Sequence, residues 1–269
     1  MPELPEVETV RRAMEAHLVG RRITAVAVSG LPLRQPLPVK RLRSLVGARF
    51  CGARRRGKYL LLALEDGRCL LVHLGMSGNL LLRPSQGKHD HLVLALDQGP
   101  PLVYADPRRF GLVRVLTASE LETCPELDRL GVEPLEAAFD VGYLQRCCRG
   151  RRLPIKSLLM DSRLVAGLGN IYAAEALFRA GIRPTTPAGR LGRKRLVRLA
   201  QQVKAVLQEA VEAGGTTISD YLGRGDGGRF QQRLAVYGRA GERCLVCEGP
   251  VDALVQAGRT TYYCRRCQR

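Results

Sequence analysis

The sequence predicts an α+β protein of several domains: an N-terminal helix with an antiparallel β-sandwich or barrel, a helical domain, and a C-terminal β-hairpin held by metal. Three observations carry that expectation. Seven short β-rich runs separated by turn residues fill positions 23–116. After about residue 135 the apolar period changes to that of helices. Two Cys-x2-Cys pairs lie between residues 244 and 267.

In chain order, residues 3–19 read as a helix, because Val7, Val10, Met14 and Leu18 recur at three- and four-residue steps and Gly20 is placed to cap it. The strand expectations follow at 23–29, 58–64, 69–74, 79–83, 91–96, 102–105 and 112–116. Leu196, Leu199, Ala200, Val203, Val206, Leu207 and Ala210 line one face of a long helix that stops at Gly214-Gly215. A loop rich in Gly and Arg covers 222–229, and a small cysteine-bearing module comes next. The expected division is 1–135, 136–234 and 235–269, with no internal repeat.

The 269 residues are enough for more than one core, and 45% hydrophobic with 25% charged residues is ordinary for a globular protein. The charge balance is not ordinary. Lys plus Arg number 43 against 25 for Asp plus Glu, a net +18. A field of that sign draws polyanions, nucleic acid first, with anionic lipid or ribosomal RNA as the other candidates. There is no basic segment leading into an apolar one near Met1 and no apolar run of about 18 residues, so a reducing cytoplasm is expected. There the nine cysteines stay thiols or metal ligands. Cys51, Cys69, Cys124, Cys147 and Cys148 show no usable spacing and are expected to be structural.

Cys244-x2-Cys247-x16-Cys264-x2-Cys267 is different. Two such knuckles let four thiolates converge as a tetrahedron, the donor set of one closed structural Zn2+ with no open position for catalysis. Arg259, Tyr262 and Tyr263 lie between the knuckles, and Arg265 and Arg266 flank the last ligand. A zinc-held hairpin with an arginine near its tip suits a DNA backbone, although ribbons of this kind also bind proteins.

Pro2-Glu3-Leu4-Pro5-Glu6 has an ordinary reading as a well-started helix, with proline in the first turn and carboxylates at the positive end of its dipole. Together with Arg54-Arg55-Arg56-Gly57-Lys58-Tyr59, His73-Leu74-Gly75-Met76-Ser77-Gly78, Lys88-His89-Asp90-His91, Asp106-Pro107-Arg108-Arg109-Phe110-Gly111 and Gly167-Leu168-Gly169-Asn170-Ile171-Tyr172, it does more. With these motifs the whole chain resembles the formamidopyrimidine-DNA glycosylase family of bacterial base excision repair.

The resemblance implies a helix–two-turn–helix middle domain and a bifunctional glycosylase and AP lyase for 8-oxoguanine and formamidopyrimidines in double-stranded DNA. The enzyme would be a monomer, cytoplasmic and associated with the nucleoid. It makes Pro2 the nucleophile once Met1 is removed, Glu3 the general acid, and Glu6 a second carboxylate supporting the helix and the nucleophile. A free α-amino group titrates near ~8, so an amine competent to attack exists at neutral pH. The resemblance puts Lys58 at the target sugar and its phosphate; six lysines against 37 arginines mean that this one does not merely supply charge. Met76 and Arg108 would fill the gap left by the extruded nucleotide, Arg108 facing the estranged cytosine, with Phe110 wedged beside it. His89, Arg151, Lys156 and Asn170 would contact DNA, and Arg259 would hold phosphate and assist the second elimination.

Two positions depart from the pattern. The stretch 222–230 lacks a proline common in relatives, and Val132 stands where proline is usual. The rival readings are endonuclease VIII, which shares the fold and prefers oxidised pyrimidines, and a catalytically silent zinc-ribbon DNA-binding protein.

Overall fold

Val7, Val10 and Met14 lie on one buried face of helix α1 (Leu4–His17). Its end differs from the expectation: Leu18 caps it in a right-handed conformation, and Gly20, at φ +87°, turns the chain onward instead. The computed structural model describes residues 2–216 and 230–269. They divide into two compact units, the first made of residues 2–128 with 214–216, the second of Arg129–Ala213 with residues 230–269. The stretch 222–229 lies outside the described residues.

In the first unit the strands are β1 (Ile23–Val28), β2 (Phe50–Arg56), β3 (Tyr59–Leu64), β4 (Cys69–His73), β5 (Asn79–Leu82), β6 (Asp90–Leu96), β7 (Leu102–Ala105) and β8 (Leu112–Leu116), with a short helix α2 (Val39–Arg43) after β1. They form two antiparallel four-stranded sheets, β1-β6-β7-β5 and β2-β3-β4-β8. Val10 and Met14 of α1, Leu60 and Leu62 of one sheet and Leu92, Leu94 and Tyr104 of the other belong to one buried cluster. That shared core makes it a sandwich, not a barrel. Short helices α3 (Ala118–Glu122) and α4 (Pro125–Asp128) follow β8.

Strand β2 is not among the runs expected from the sequence. It forms because Tyr59–Leu64 of β3 pair with it and α1 secures its edge. The Ala53 amide donates to Glu15 at 2.8 Å, and Arg11 donates to the Ala53 carbonyl at 3.2 Å. Arg55 turns inward to Glu8, 3.2 Å away, while Arg54 faces out. Lys58 is therefore a turn residue and not the first residue of a strand: Arg56 pairs with Tyr59, and Gly57 at φ +57° begins the two-residue reversal.

In the second unit, α5 (Val141–Cys148), α6 (Ile155–Leu159), α7 (Asn170–Arg179) and α8 (Arg193–Glu212) pack with a two-stranded sheet, β9 (Asp252–Gln256) and β10 (Arg259–Tyr263). Helix α8 buries the seven positions expected of it, and Gly214 and Gly215 follow at φ +76° and +84°. The Val132 amide donates to the Leu164 carbonyl at 3.2 Å, a bond that proline at that position could not make. None of the nine cysteines is in a disulfide; Cys69, Cys124, Cys147 and Cys148 are buried, whereas Cys51 is exposed. Among the described residues no helix is long and apolar enough to cross a membrane.

Candidate catalytic site and nucleic-acid interface

At the head of α1, Pro2 is half-buried and Glu3 and Glu6 are buried. Glu6 Oε2 accepts the Glu3 amide at 2.8 Å, and Glu6 Oε1 accepts both the Thr216 amide at 2.9 Å and its hydroxyl at 3.1 Å. Gly215 is required there: a Cβ would stand 2.8 Å from Glu6 Oε1, and the backbone has φ +84°. Glu6 thus fixes the backbone next to Pro2, while the Glu3 side chain is buried.

Lys58, half-buried at the β2–β3 turn, lies close to His73, whose ring packs on Tyr59 at 4.8 Å between centroids. His73 Nδ1 accepts the Gly75 amide at 3.0 Å, which leaves its Nε2 to carry the proton. Burial first, then the charges of Lys58 and Arg34, push its pKa down to about 4. At neutral pH this imidazole is uncharged. Burial likewise raises the Tyr59 hydroxyl.

Met76 and Phe110 are exposed apolar side chains, 42% and 47% accessible, on two loops after β4 and β7. The Arg108 guanidinium lies 4.9 Å over the Phe110 ring. Behind them Asp106 is fully buried and receives donors from both loops. His89 is exposed just before β6, next to buried Asp90 and His91. Burial alone would raise the Asp90 carboxyl, but Arg83, the Gln86 amide and Ser85 overcome that and hold it at about 2. Arg83 binds it through two nitrogens, at 2.7 and 3.2 Å.

In the second unit the expected DNA residues divide by exposure. Arg151 and Arg259 are exposed, Arg259 at the first position of β10 beside the Ala257-Gly258 turn. Lys156 differs from what a lysine in a basic motif suggests. It is 2% accessible, and its Nζ donates to Asn170 Oδ1 at 2.5 Å and to Thr261 Oγ1 at 2.7 Å. Asn170 donates in turn to the Thr260 carbonyl at 2.9 Å. Asn170 opens α7 after Gly169, which offers no side-chain cap. Glu175, fully buried on the same helix, accepts the amides of Ala235, Val236 and Tyr237 at 2.8–2.9 Å. Helix α7 is thereby bonded to the hairpin at its start, through Asn170, and to residues 235–237 at its middle, through Glu175.

The ligand atoms of Cys244, Cys247, Cys264 and Cys267 lie within 4.8 Å of one another, with Cys244–Cys267 at 3.8 Å and Cys247–Cys264 at 3.4 Å. A thiolate tetrahedron with Zn–S near ~2.3 Å has edges of about 3.8 Å. The four sulfurs fit one zinc ion with no further ligand needed.

Three family models match along the chain: the formamidopyrimidine-DNA glycosylase N-terminal domain over residues 1–113, its H2TH domain over 130–221, and the zinc finger found in FPG and IleRS over 241–269. The formamidopyrimidine-DNA glycosylase of Thioalkalivibrio sulfidiphilus is 50% identical over the whole of both chains. The chain belongs to the formamidopyrimidine-DNA glycosylase family. The glycosylase of that name from Cereibacter sphaeroides is 45% identical, again with both chains fully covered. A Lactococcus lactis family member, solved as a point variant with DNA containing Fapy-dG, superposes with a TM-score of 0.92 at 34% identity over 100% of both chains. The Thermus thermophilus protein gives 0.87 at 43% identity, over 99% of this chain and 98% of that one.

Within this glycosylase-family architecture, sequence reasoning passed over Asp106, Glu175 and Thr216. Two of them left a trace. Asp106 opens a motif already singled out, and Glu175 is a lone carboxylate inside Ala173-Ala174-Glu175-Ala176-Leu177. Thr216 left none beyond its place after two glycines.

Proposed function

We propose that the protein is a bifunctional DNA glycosylase and AP lyase of base excision repair that removes oxidised purines, 8-oxoguanine and formamidopyrimidines. The observation carrying this reading is Pro2, set at the head of α1 beside buried Glu3 on a backbone held by Glu6. With Met1 removed, the neutral Pro2 nitrogen attacks C1′ and the bond from C1′ to the base breaks, Glu3 supplying the proton that lets the base or the ring oxygen take up the electrons. The resulting iminium acidifies C2′, so loss of the 3′ and then the 5′ phosphate follows as β- and δ-elimination, and hydrolysis of the imine returns the amine.

Lys58 holds the phosphate of the target sugar as a compact charge. Met76, Arg108 and Phe110 occupy the space of the extruded nucleotide, and the guanidinium of Arg108 suits the acceptors of cytosine better than the amino group of adenine. His89, Arg151, Lys156 and Asn170 contact backbone, Lys156 through the Asn170 and Thr261 side chains that it orients, and Arg259 holds phosphate for the second elimination. The functional division follows 1–135, 136–234 and 235–269. The protein acts as a monomer in the bacterial cytoplasm, on the nucleoid.

Borohydride added during turnover on an 8-oxoguanine duplex leaves a stable adduct that maps to residue 2. Glu3→Gln slows base excision strongly while cleavage of a preformed abasic site persists. An adduct at Lys58 would overturn the assignment. Faster removal of thymine glycol than of 8-oxoguanine, a relevant arm because a Lactococcus lactis relative has been solved with oxidised-pyrimidine DNA, would move the protein to the endonuclease VIII reading.

A further inference from the structure

We propose that Asp106 is a positioning residue that sets the DNA-entering side chains in register, and through them governs nucleotide extrusion and the choice of opposite base. The inference rests on the assignment of Met76, Arg108 and Phe110 to the duplex. Those residues sit on two loops, 74–78 and 106–111, whose ends are brought together by strand pairing, His73 with Leu112 and Asn79 with Ala105. Beyond those pairs, one buried carboxylate reaches both loops. Asp106 Oδ1 accepts the Ser77 hydroxyl at 2.6 Å and the Arg108 amide at 3.3 Å. Its Oδ2 accepts the Gly111 amide at 2.8 Å and the Tyr104 hydroxyl at 3.4 Å. The Arg108 amide also donates to the Ser77 oxygen, at 3.2 Å. Each donor lies next to, or on the same loop as, a side chain assigned to the DNA, apart from Tyr104 at the base.

The surroundings leave little freedom. A Cβ on Gly75 would stand 2.5 Å from the Phe110 carbonyl carbon, so the two loops meet backbone to backbone there, and one on Gly111 would stand 1.6 Å from the Tyr104 hydroxyl packed against it. Arg109 takes φ +57°, a conformation uncommon for a residue with a side chain. His91 extends the support. Its Nδ1 accepts the Ser29 hydroxyl at 2.9 Å, and its Nε2–H donates to the Asp106 carbonyl at 3.0 Å.

Asp106 is 0% accessible and forms no ion pair among the described residues; neutral donors alone answer its charge. Keeping a carboxylate in such a place is costly unless every lone pair is used. What the carboxylate adds is a fixed relation between two exposed tips, and an intercalating tip helps extrusion only when it is already in place as the base stack opens.

The test is Asp106→Asn, which keeps the shape but turns one acceptor oxygen into a donor facing donors. Excision of 8-oxoguanine opposite cytosine should fall at least tenfold in kcat/KM. The cytosine-over-adenine preference should shrink toward one, and unstacking of a 2-aminopurine beside the lesion should slow. Cleavage of a preformed abasic site in single-stranded DNA, where no stack must open, should change less than twofold. Loss of both activities in proportion to a lowered melting temperature would reduce Asp106 to a structural residue and overturn the proposal. Ser77→Ala, which removes one donor near the surface, covers failure of the first variant to fold and should move the same readouts three- to fivefold. Arg108→Ala separates the role of Asp106 from the assignment of the loops to DNA. If it leaves the opposite-base preference intact, the assignment of the loops to DNA is wrong; if it abolishes the preference while Asp106→Asn and Ser77→Ala preserve it, the proposal for Asp106 is wrong.

Discussion

Replacing Gly215 by alanine tests how the N-terminal site is held. The residue has φ +84°, where a Cβ costs about 1 kcal/mol, and that Cβ would lie 2.8 Å from Glu6 Oε1 and 3.1 Å from Glu6 Cγ. Glu6 is 2% accessible and has no open space to enter, so it must give up at least one of its bonds to Thr216. A hydrogen bond to a charged group is worth roughly 1.5–3 kcal/mol, which brings the expected loss to about 3 kcal/mol. In a unit of this size that is a melting temperature lower by roughly 6–12 °C. Because Glu6 also receives the Glu3 amide, borohydride trapping should slow about tenfold as the backbone next to Pro2 loosens. Gly20→Ala is the control: it has almost the same φ, +87°, with nothing within 4 Å of its Cβ, so it isolates the backbone cost and leaves trapping unchanged. If Gly215→Ala melts within 1 °C of Gly20→Ala and traps at the normal rate, the carboxylate does not hold the site.

Cys244→Ser or Cys267→Ser should lose the zinc and abolish DNA binding while near-ultraviolet dichroism of the sandwich persists; metal analysis far below one ion per chain in the parent protein would contradict the site. Duplex affinity should fall with a slope near −5 in log K against log salt if about six phosphates are neutralised, and a flat titration would remove the backbone as the main contact. His73, held neutral with its pKa lowered to about 4, contributes stability that is complete above pH 6.5 and is lost as pH falls from there toward 4. Denaturant melts across that window should show a slope of at most ~1.4 kcal/mol per pH unit, reduced by partial solvent screening, that His73→Gln removes.

The parts legible in the sequence were those whose cause is local. The buried face of α8 is written in its 3.6-residue period, and the zinc ligands in their spacing. Strand β2 was not legible, because Arg54, Arg55 and Arg56 carry no β signal; pairing with β3 and the side chains of Arg11 and Glu15 make it a strand. Lys156 reads as a surface cation, yet its partner Thr261 lies 105 residues away and buries it. Glu6 meets Thr216 across 210 residues, a pairing no local pattern contains. The roles proposed for Pro2, Glu3 and Lys58 came through resemblance. Physical chemistry alone described them as a capped helix and a charged turn.

Helix α7 carries one further consequence. Asn170 at its start is tied to Thr260 and Lys156, and Glu175 along it holds the amides at 235–237 that lead into the thiolate cluster. Metal coordination energy in a small module is folding energy, so zinc occupancy bears on the order of the segments that Asn170 and Glu175 hold. The coupling is reciprocal by thermodynamic necessity. The factor by which zinc raises affinity for duplex is the factor by which bound duplex raises affinity for zinc, so at equilibrium a chelator should strip the protein less readily when DNA is bound than when it is free.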